Sequence, residues 1–172
     1  MGRLRPQCDI GPQAPLIRAA NLKRYLTLRQ KARFLFIAEG LGYQGGHFSG
    51  MAMTSERILW VITLTCGPMW FLARITLAKG QAIPSRPVKP HAAGKSFNEP
   101  TATVMWGELA AQELAPFQTI LWNIYPFHPY KPSGILTNRT PTPKELDEGI
   151  DFARMILPLC RGCASLPLAE KC

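Results

Sequence analysis

Two polar side chains stand where the sequence invites chemistry. Glu39 directly follows the apolar run Arg33-Phe-Leu-Phe-Ile-Ala38. Asn123 lies near the end of another, Gln118-Thr-Ile-Leu-Trp-Asn-Ile-Tyr125. A carboxylate can hold and polarise a water, or stabilise positive charge that develops in a reaction. A primary amide offers a donor and an acceptor side, the pattern of a nucleobase edge. Between them runs Gly42-Tyr-Gln-Gly-Gly-His-Phe-Ser-Gly50. Its glycines let backbone N–H groups approach a ligand, and Tyr43 and Phe48 offer rings that stack on a base. No Gly-Lys-Ser/Thr follows, so this is not a Walker-type phosphate loop. The plainer reading, a surface carboxylate and an amide capping a loop, stays open at this point.

Secondary elements must bring these residues together. Pro15 to Lys31 reads as a helix, with Leu16, Ala19, Ala20, Tyr25, Leu26 and Leu28 near one face and Arg18, Lys23, Arg24 and Arg29 on the rest. The run ending at Ala38 suits a strand buried on both faces, followed by a glycine-rich loop of about a dozen residues. Thr54-Ser55-Glu56 signals a helix start, and that helix is expected to reach Leu64. Lys79 to Lys95 reads as a basic loop. Glu99-Pro100-Thr101 opens a helix that continues to about Leu114. Gln118 to Tyr125 is the second strand, Pro126 to Thr142 a proline-rich loop, and Lys144 to Leu157 the last helix. This alternation is α/β logic with parallel strands, and ligands in such sheets bind beyond the carboxyl ends of the strands. Glu39 and Asn123 both lie there. Trp60, Trp70 and Trp106 are expected in the core, with Trp122 packed on a helix.

The 172 residues read as one domain, with an atypical tail over 158–172. Hydrophobic residues at 47% and charged residues at 18% exclude a disordered chain, a coiled coil and collagen. Twenty Lys plus Arg against eleven Asp plus Glu leave a net charge of +9, which favours a polyanionic partner, nucleic acid first. The basic residues Lys79, Arg86, Lys89 and Lys95 read as a solvated loop that is also able to track phosphates. Cys8, Cys66, Cys160, Cys163 and Cys172 are odd in number and irregular in spacing, which argues against a disulfide framework and for a reducing, cytoplasmic setting. The Cys160/Cys163 pair is half a metal site, and no metal or other cofactor is expected. The longest uncharged run, Ile58 to Ala73, is shorter than the roughly 20 residues that span a bilayer, and Gly67-Pro68 breaks it. The expectation is a monomer without membrane association.

The segments RFLFIAEGLGYQGGHFSGMAMTSE and FQTILWNIYPFHPYKPSGILTNRTPTPKEL resemble the two blocks that mark the uracil-DNA glycosylase superfamily. In the first, a strand runs into a Gly-Glu-Ala-Pro-Gly-type loop. In the second, an Asn at a strand end precedes a proline-rich loop and an Asn-Arg-x-Pro-Thr-Pro-x-Glu helix start. The intervening EPTATVMWGEL helix also fits. The resemblance covers about Ile10 to Leu157 and points to bacterial and phage members of the family 4-like branch. It implies a three-layer α/β/α sandwich around a parallel sheet. It also implies flipping of a uracil out of DNA, single- or double-stranded, and metal-free hydrolysis of its N-glycosidic bond in base-excision repair. Carried across residue by residue, Glu39 matches the acidic residue that manages the attacking water or the sugar cation. Asn123 matches the amide that reads uracil. Tyr43 lies beside the C5 edge of the base. Phe48 and Met53 are the stacking candidates. Asn138 and Arg139 match the start of the helix near DNA backbone, with Lys131 and His128 in the adjoining loop.

Departures from the pattern set a second group of expectations. Gly40-Leu41 replaces the family's Ala-Pro turn, and Gly50-Met51-Ala52-Met53 replaces the segment whose Phe stacks on the base. The family's third motif, a His-Pro-Ser loop, is absent from these 172 residues, and nothing from Pro158 onward matches the family. The chain therefore reads as a truncated or divergent member, with its sheet incomplete on the C-terminal side. Loss of the His donor alone is expected to cost on the order of 10²–10³ in rate, leaving little or no excision. The rival readings are a non-catalytic remnant that only binds DNA, and a nucleotide-binding module of the flavodoxin kind, which lacks its phosphate loop here.

Overall fold

The structure is a computed structural model that describes residues 14–58, 97–112 and 116–161. Trp60, Trp70, His91, the Gly67-Pro68 break, the basic loop Lys79 to Lys95 and the tail beyond Arg161 lie outside the described residues. The elements are α1 (Ala14–Thr27), β1 (Phe34–Gly40), the short turn α2 (Gly46–Ser49), α3 (Pro100–Ala111), β2 (Thr119–Tyr125) and α4 (Pro143–Ile156). Residues 56–58 begin a further helix. The two strands pair in parallel, Phe34 opposite Thr119 through Gly40 opposite Tyr125. The chain is thus mixed helix and strand around a small parallel sheet. Among the described residues, no helix is long and apolar enough to cross a membrane.

β2 is the buried strand. Ile120 and Leu121 are inaccessible, and Trp122 and Asn123 nearly so. Its outer edge is closed by the end of α1. The Tyr25 hydroxyl accepts a hydrogen bond from Leu121 N–H at 2.7 Å. Arg29 donates through Nε to Thr119 O at 2.8 Å and lies 3.8 Å over the Tyr25 ring. These two bonds give partners to Thr119 O and Leu121 N–H on that edge. α1 ends at Thr27, earlier than the charge pattern implies, so Arg29 sits in the following turn and is fully buried rather than on a solvated face. Its side chain is needed by the sheet edge. Leu16 and Leu28, expected on the apolar face, are exposed.

β1 differs from expectation as well. Phe36 and Ile37 stay partly open, so this strand is not buried on both faces. Its free edge receives one parallel bridge, Ala32 with Cys160, and Arg161 N–H donates to Ala32 O at 2.8 Å. Arg33 N–H donates to Gln118 O, on the β2 side. Because backbone groups alternate sides along a strand, Cys160 lies on the edge of β1 away from β2. Among the described residues, the chain after α4 therefore returns to the sheet at Cys160, where the sequence shows no strand pattern. Cys160 is buried and disulfide-bonded, against the expectation of reduced thiols.

α4 begins with a capping box. Glu145 N–H donates to the Thr142 hydroxyl, and Thr142 N–H donates to the Glu145 carboxylate at 2.8 Å. The helix packs on β2 through Gly149, where a Cβ would meet Ile124 O at 2.2 Å. The obstacle is backbone and cannot rotate away. Gly149→Ala is expected to lower stability by about 1–3 kcal/mol despite the better helix propensity of alanine. Chemical denaturation checks this, and an unchanged or raised midpoint would contradict the packing described.

Candidate functional site

Register alone brings the two candidate residues together. Ala38 sits opposite Asn123, so Glu39 and Asn123 emerge at the same carboxyl end of the sheet. Both line a cavity of about 290 Å³, at the small end of the roughly 300–1,000 Å³ of ligand pockets and suited to a single ring system. Its walls come from the end of β1, the start of α3 and the segment 138–141. Gly40 packs so tightly on Pro141 that a Cβ would meet its ring at 2.8 Å, which accounts for glycine at this position.

Asn123 is 2% exposed. Its Nδ2 donates to Gly40 O at 2.9 Å. A carbonyl oxygen only accepts, so this bond fixes which way the amide faces. Its Oδ1 is then buried without a partner. Leaving a buried acceptor unpaired costs about 1–3 kcal/mol, a cost that a ligand N–H would relieve. Glu39 is solvent-exposed at the mouth, where water has access.

Met53 lines the cavity and has a positive φ of 46°, with its carbonyl held by the Trp106 indole N–H at 3.1 Å. Tyr43 and Phe48 do not line it. Phe48 lies on the turn α2, which forms inside the expected loop, and stacks on Phe97 with centroids 5.0 Å apart and 11° between planes. Tyr43 meets the edge of the same Phe97 ring at 5.8 Å. The partner that draws both rings away is distant in sequence, so neither contact shows in the loop itself.

The second block holds the rim. Asn138 Oδ1 accepts from Tyr43 N–H at 3.0 Å and from His128 Nε2 at 3.2 Å. His128 Nε2 also donates to Thr137 O at 2.8 Å, so the proton sits on Nε2 and the buried Nδ1 has no partner. Burial pushes the His128 pKa down. His128 and His47, ring centroids 4.8 Å apart, line a neighbouring cavity of about 270 Å³ with Arg18 and Phe127. Arg139 grips Glu145 with both terminal nitrogens, at 2.6 and 2.7 Å, and donates to Tyr130 O and Thr140 O. Those bonds hold the Glu145 carboxyl at about 2. Arg139 thus braces the cavity wall, while Lys131 stands exposed in the loop beyond.

Glu99 is the residue that sequence reasoning missed. It lines the same cavity, and its Oε2 is buried without a partner. Burial raises its carboxyl to about 7. Gly42 and Gly45 make room for it. A Cβ at Gly45 would stand 2.0 Å from Oε2, and one at Gly42 would stand 2.6 Å from Oε1. The available signal was its place before α3. Ser, Thr, Asp or Asn is favoured there, and this Glu makes no capping bond. Among the described residues, no group of three or more His, Cys, Asp or Glu is placed to hold a metal ion. No family model matches the chain, and neither a curated protein nor a solved structure matches it.

Proposed function

We propose that this chain is a uracil-DNA glycosylase-like protein, acting in base-excision repair on uracil flipped out of single- or double-stranded DNA. The observation that carries this reading is the buried, unpartnered Asn123 Oδ1 in one small cavity with Glu39. The N3–H of uracil is the donor that Oδ1 lacks. Glu39 takes a proton from water as the oxygen attacks C1′, and the C1′–N1 electron pair leaves with the base. No cofactor enters this reaction. In this reading the parallel pair belongs to a three-layer α/β/α sandwich in a monomeric protein. DNA backbone runs along the rim of Lys131, His128, Asn138 and Arg139. Lys131→Ala is then expected to weaken DNA binding uniformly across sequences and to reduce the salt slope by about one. Titrations at several salt concentrations check this, and an unchanged slope removes Lys131 from the interface.

A second reading, a remnant that only binds DNA, draws on the displacement of Tyr43 and Phe48 from the cavity, which leaves Met53 as its stacker. The test is incubation of the purified chain with single-stranded DNA carrying one uracil, scored for abasic sites. The glycosylase reading expects slow excision that Glu39→Ala abolishes. Binding without excision selects the remnant, and neither binding nor excision overturns both.

A further inference from the structure

Departure of a base from C1′ leaves an electron pair and negative charge on the ring. Without neutralisation in a dry pocket, that charge opposes bond breaking. Glu39 is at the mouth, on the water side, and Asn123 presents an acceptor, which gives no relief to an anion. Arg139 also lines the cavity but is tied to Glu145, which leaves Glu99 as the ionisable group set into the wall. Resting on the glycosylase reading, we propose that Glu99 is the acid of this pocket, its carboxyl O–H hydrogen-bonding a carbonyl oxygen of the bound uracil and giving up its proton as the base departs.

The geometry supports this at three points. Glu99 Oε2 is buried and unpartnered, so its hydrogen-bonding capacity is unspent. Asn123 Oδ1, the other orphan of the same cavity, is an acceptor. A neutral carboxyl in the same cavity supplies the complementary donor, and the pair offers what the adjacent N–H and C=O of an imide need. Finally, the Gly42 and Gly45 approaches show a loop shaped around this carboxyl.

The charged groups around it leave the acid form favoured. Glu39 lines the cavity from β1 and is solvent-exposed. Arg139 lines it from the segment before α4, with its charge engaged by Glu145. Tyr43 and His128, ring centroids 6.4 Å apart, both donate to Asn138 Oδ1 at the rim, and Glu56 is buried as the first of the helical residues 56–58. Burial therefore sets the behaviour of the carboxyl, and it is half protonated near neutral pH.

The step balances with water alone. Water oxygen bonds to C1′ as the C1′–N1 bond breaks, and the bond pair goes to the base. Glu39 receives the water proton. Glu99 gives its proton to the base carbonyl oxygen, so the base leaves neutral and the two carboxyl groups have exchanged protonation states. Solvent resets both.

The experiment is excision of uracil from single-stranded DNA by the full chain between pH 5 and 9, compared with Glu99→Gln. Glutamine keeps the shape and a hydrogen-bond donor but has no proton to transfer. The wild type should lose rate above about pH 7, roughly tenfold per unit, and Glu99→Gln should lower the rate at pH 6 by roughly 10²-fold and remove that limb. In parallel, carbon-13 NMR of the wild-type chain should show the Glu99 carboxyl titrating near 7, and free uracil should shift its resonance. Excision whose pH profile is unmoved by Glu99→Gln overturns the role of Glu99 and leaves the glycosylase reading standing. A carboxyl that titrates in the ordinary glutamate range, or that ignores uracil, also overturns it, even if the variant fails to fold. A wild-type chain with no excision at any pH overturns both.

Discussion

Asn123→Ala is expected to lower uracil excision by on the order of 10²–10³-fold while leaving a folded chain. The amide does two things at once. Its Nδ2 ties β2 to the last carbonyl of β1, and its Oδ1 awaits an imide N–H inside the cavity. Alanine removes the atom that orients the base, and misplacement of a reacting group by about 1 Å costs about 10²-fold. It also strips Gly40 O of its donor, a stability loss of about 1–3 kcal/mol. Steady-state excision and denaturation midpoints measured on the same preparation separate the two effects. A variant that excises uracil at the wild-type rate would show that Asn123 is only the tie between strands.

The second large effect is a dependence of stability on pH. The Glu99 carboxyl is raised in the fold from its ordinary value to about 7 by burial. The unfolded chain ionises first, near 4.5. The stability from burying the neutral acid is therefore complete below pH 4.5 and is lost as pH rises through 7, amounting to about 3 kcal/mol at one pKa unit per 1.36 kcal/mol. His128 works in the opposite direction. Burial lowers its pKa, so its contribution is present above 6.5 and lost as pH falls. Subtracting the Glu99→Gln curve from the wild-type curve isolates the glutamate. The difference should grow between pH 4.5 and 7.5 in favour of the variant, and a flat difference would mean that the carboxyl is solvated.

What sequence could show here followed from local rules. The apolar runs ending at Ala38 and Tyr125 are strands because β-rich residues there are bounded by turn formers, and the last helix is legible from about Lys144, although its Thr142–Glu145 capping box is seen in the structure. Once two strands are parallel, residues at their carboxyl ends share a pocket, and Glu39 and Asn123 do. What escaped was set by contacts distant in sequence. Phe48 leaves the cavity for Phe97, Arg29 leaves solvent for the edge of β2, and Cys160 returns to Ala32 without a strand pattern. Glu99 was hidden for another reason. Its place before Pro100 already explained it as a helix start, although it makes no capping bond.

The function proposed for this cavity requires that the buried carbonyl oxygen of Asn123 take the imide N–H of a uracil. Nitrogen-15 NMR of the Asn123 side-chain amide, titrated with uracil and with 3-methyluracil, addresses that atom directly. Methylation at N3 removes the one donor that Oδ1 would accept and leaves the remaining ring intact. A saturable shift of the Asn123 resonance is expected with uracil and none with 3-methyluracil. Equal shifts with both ligands, or no shift with either, would contradict it.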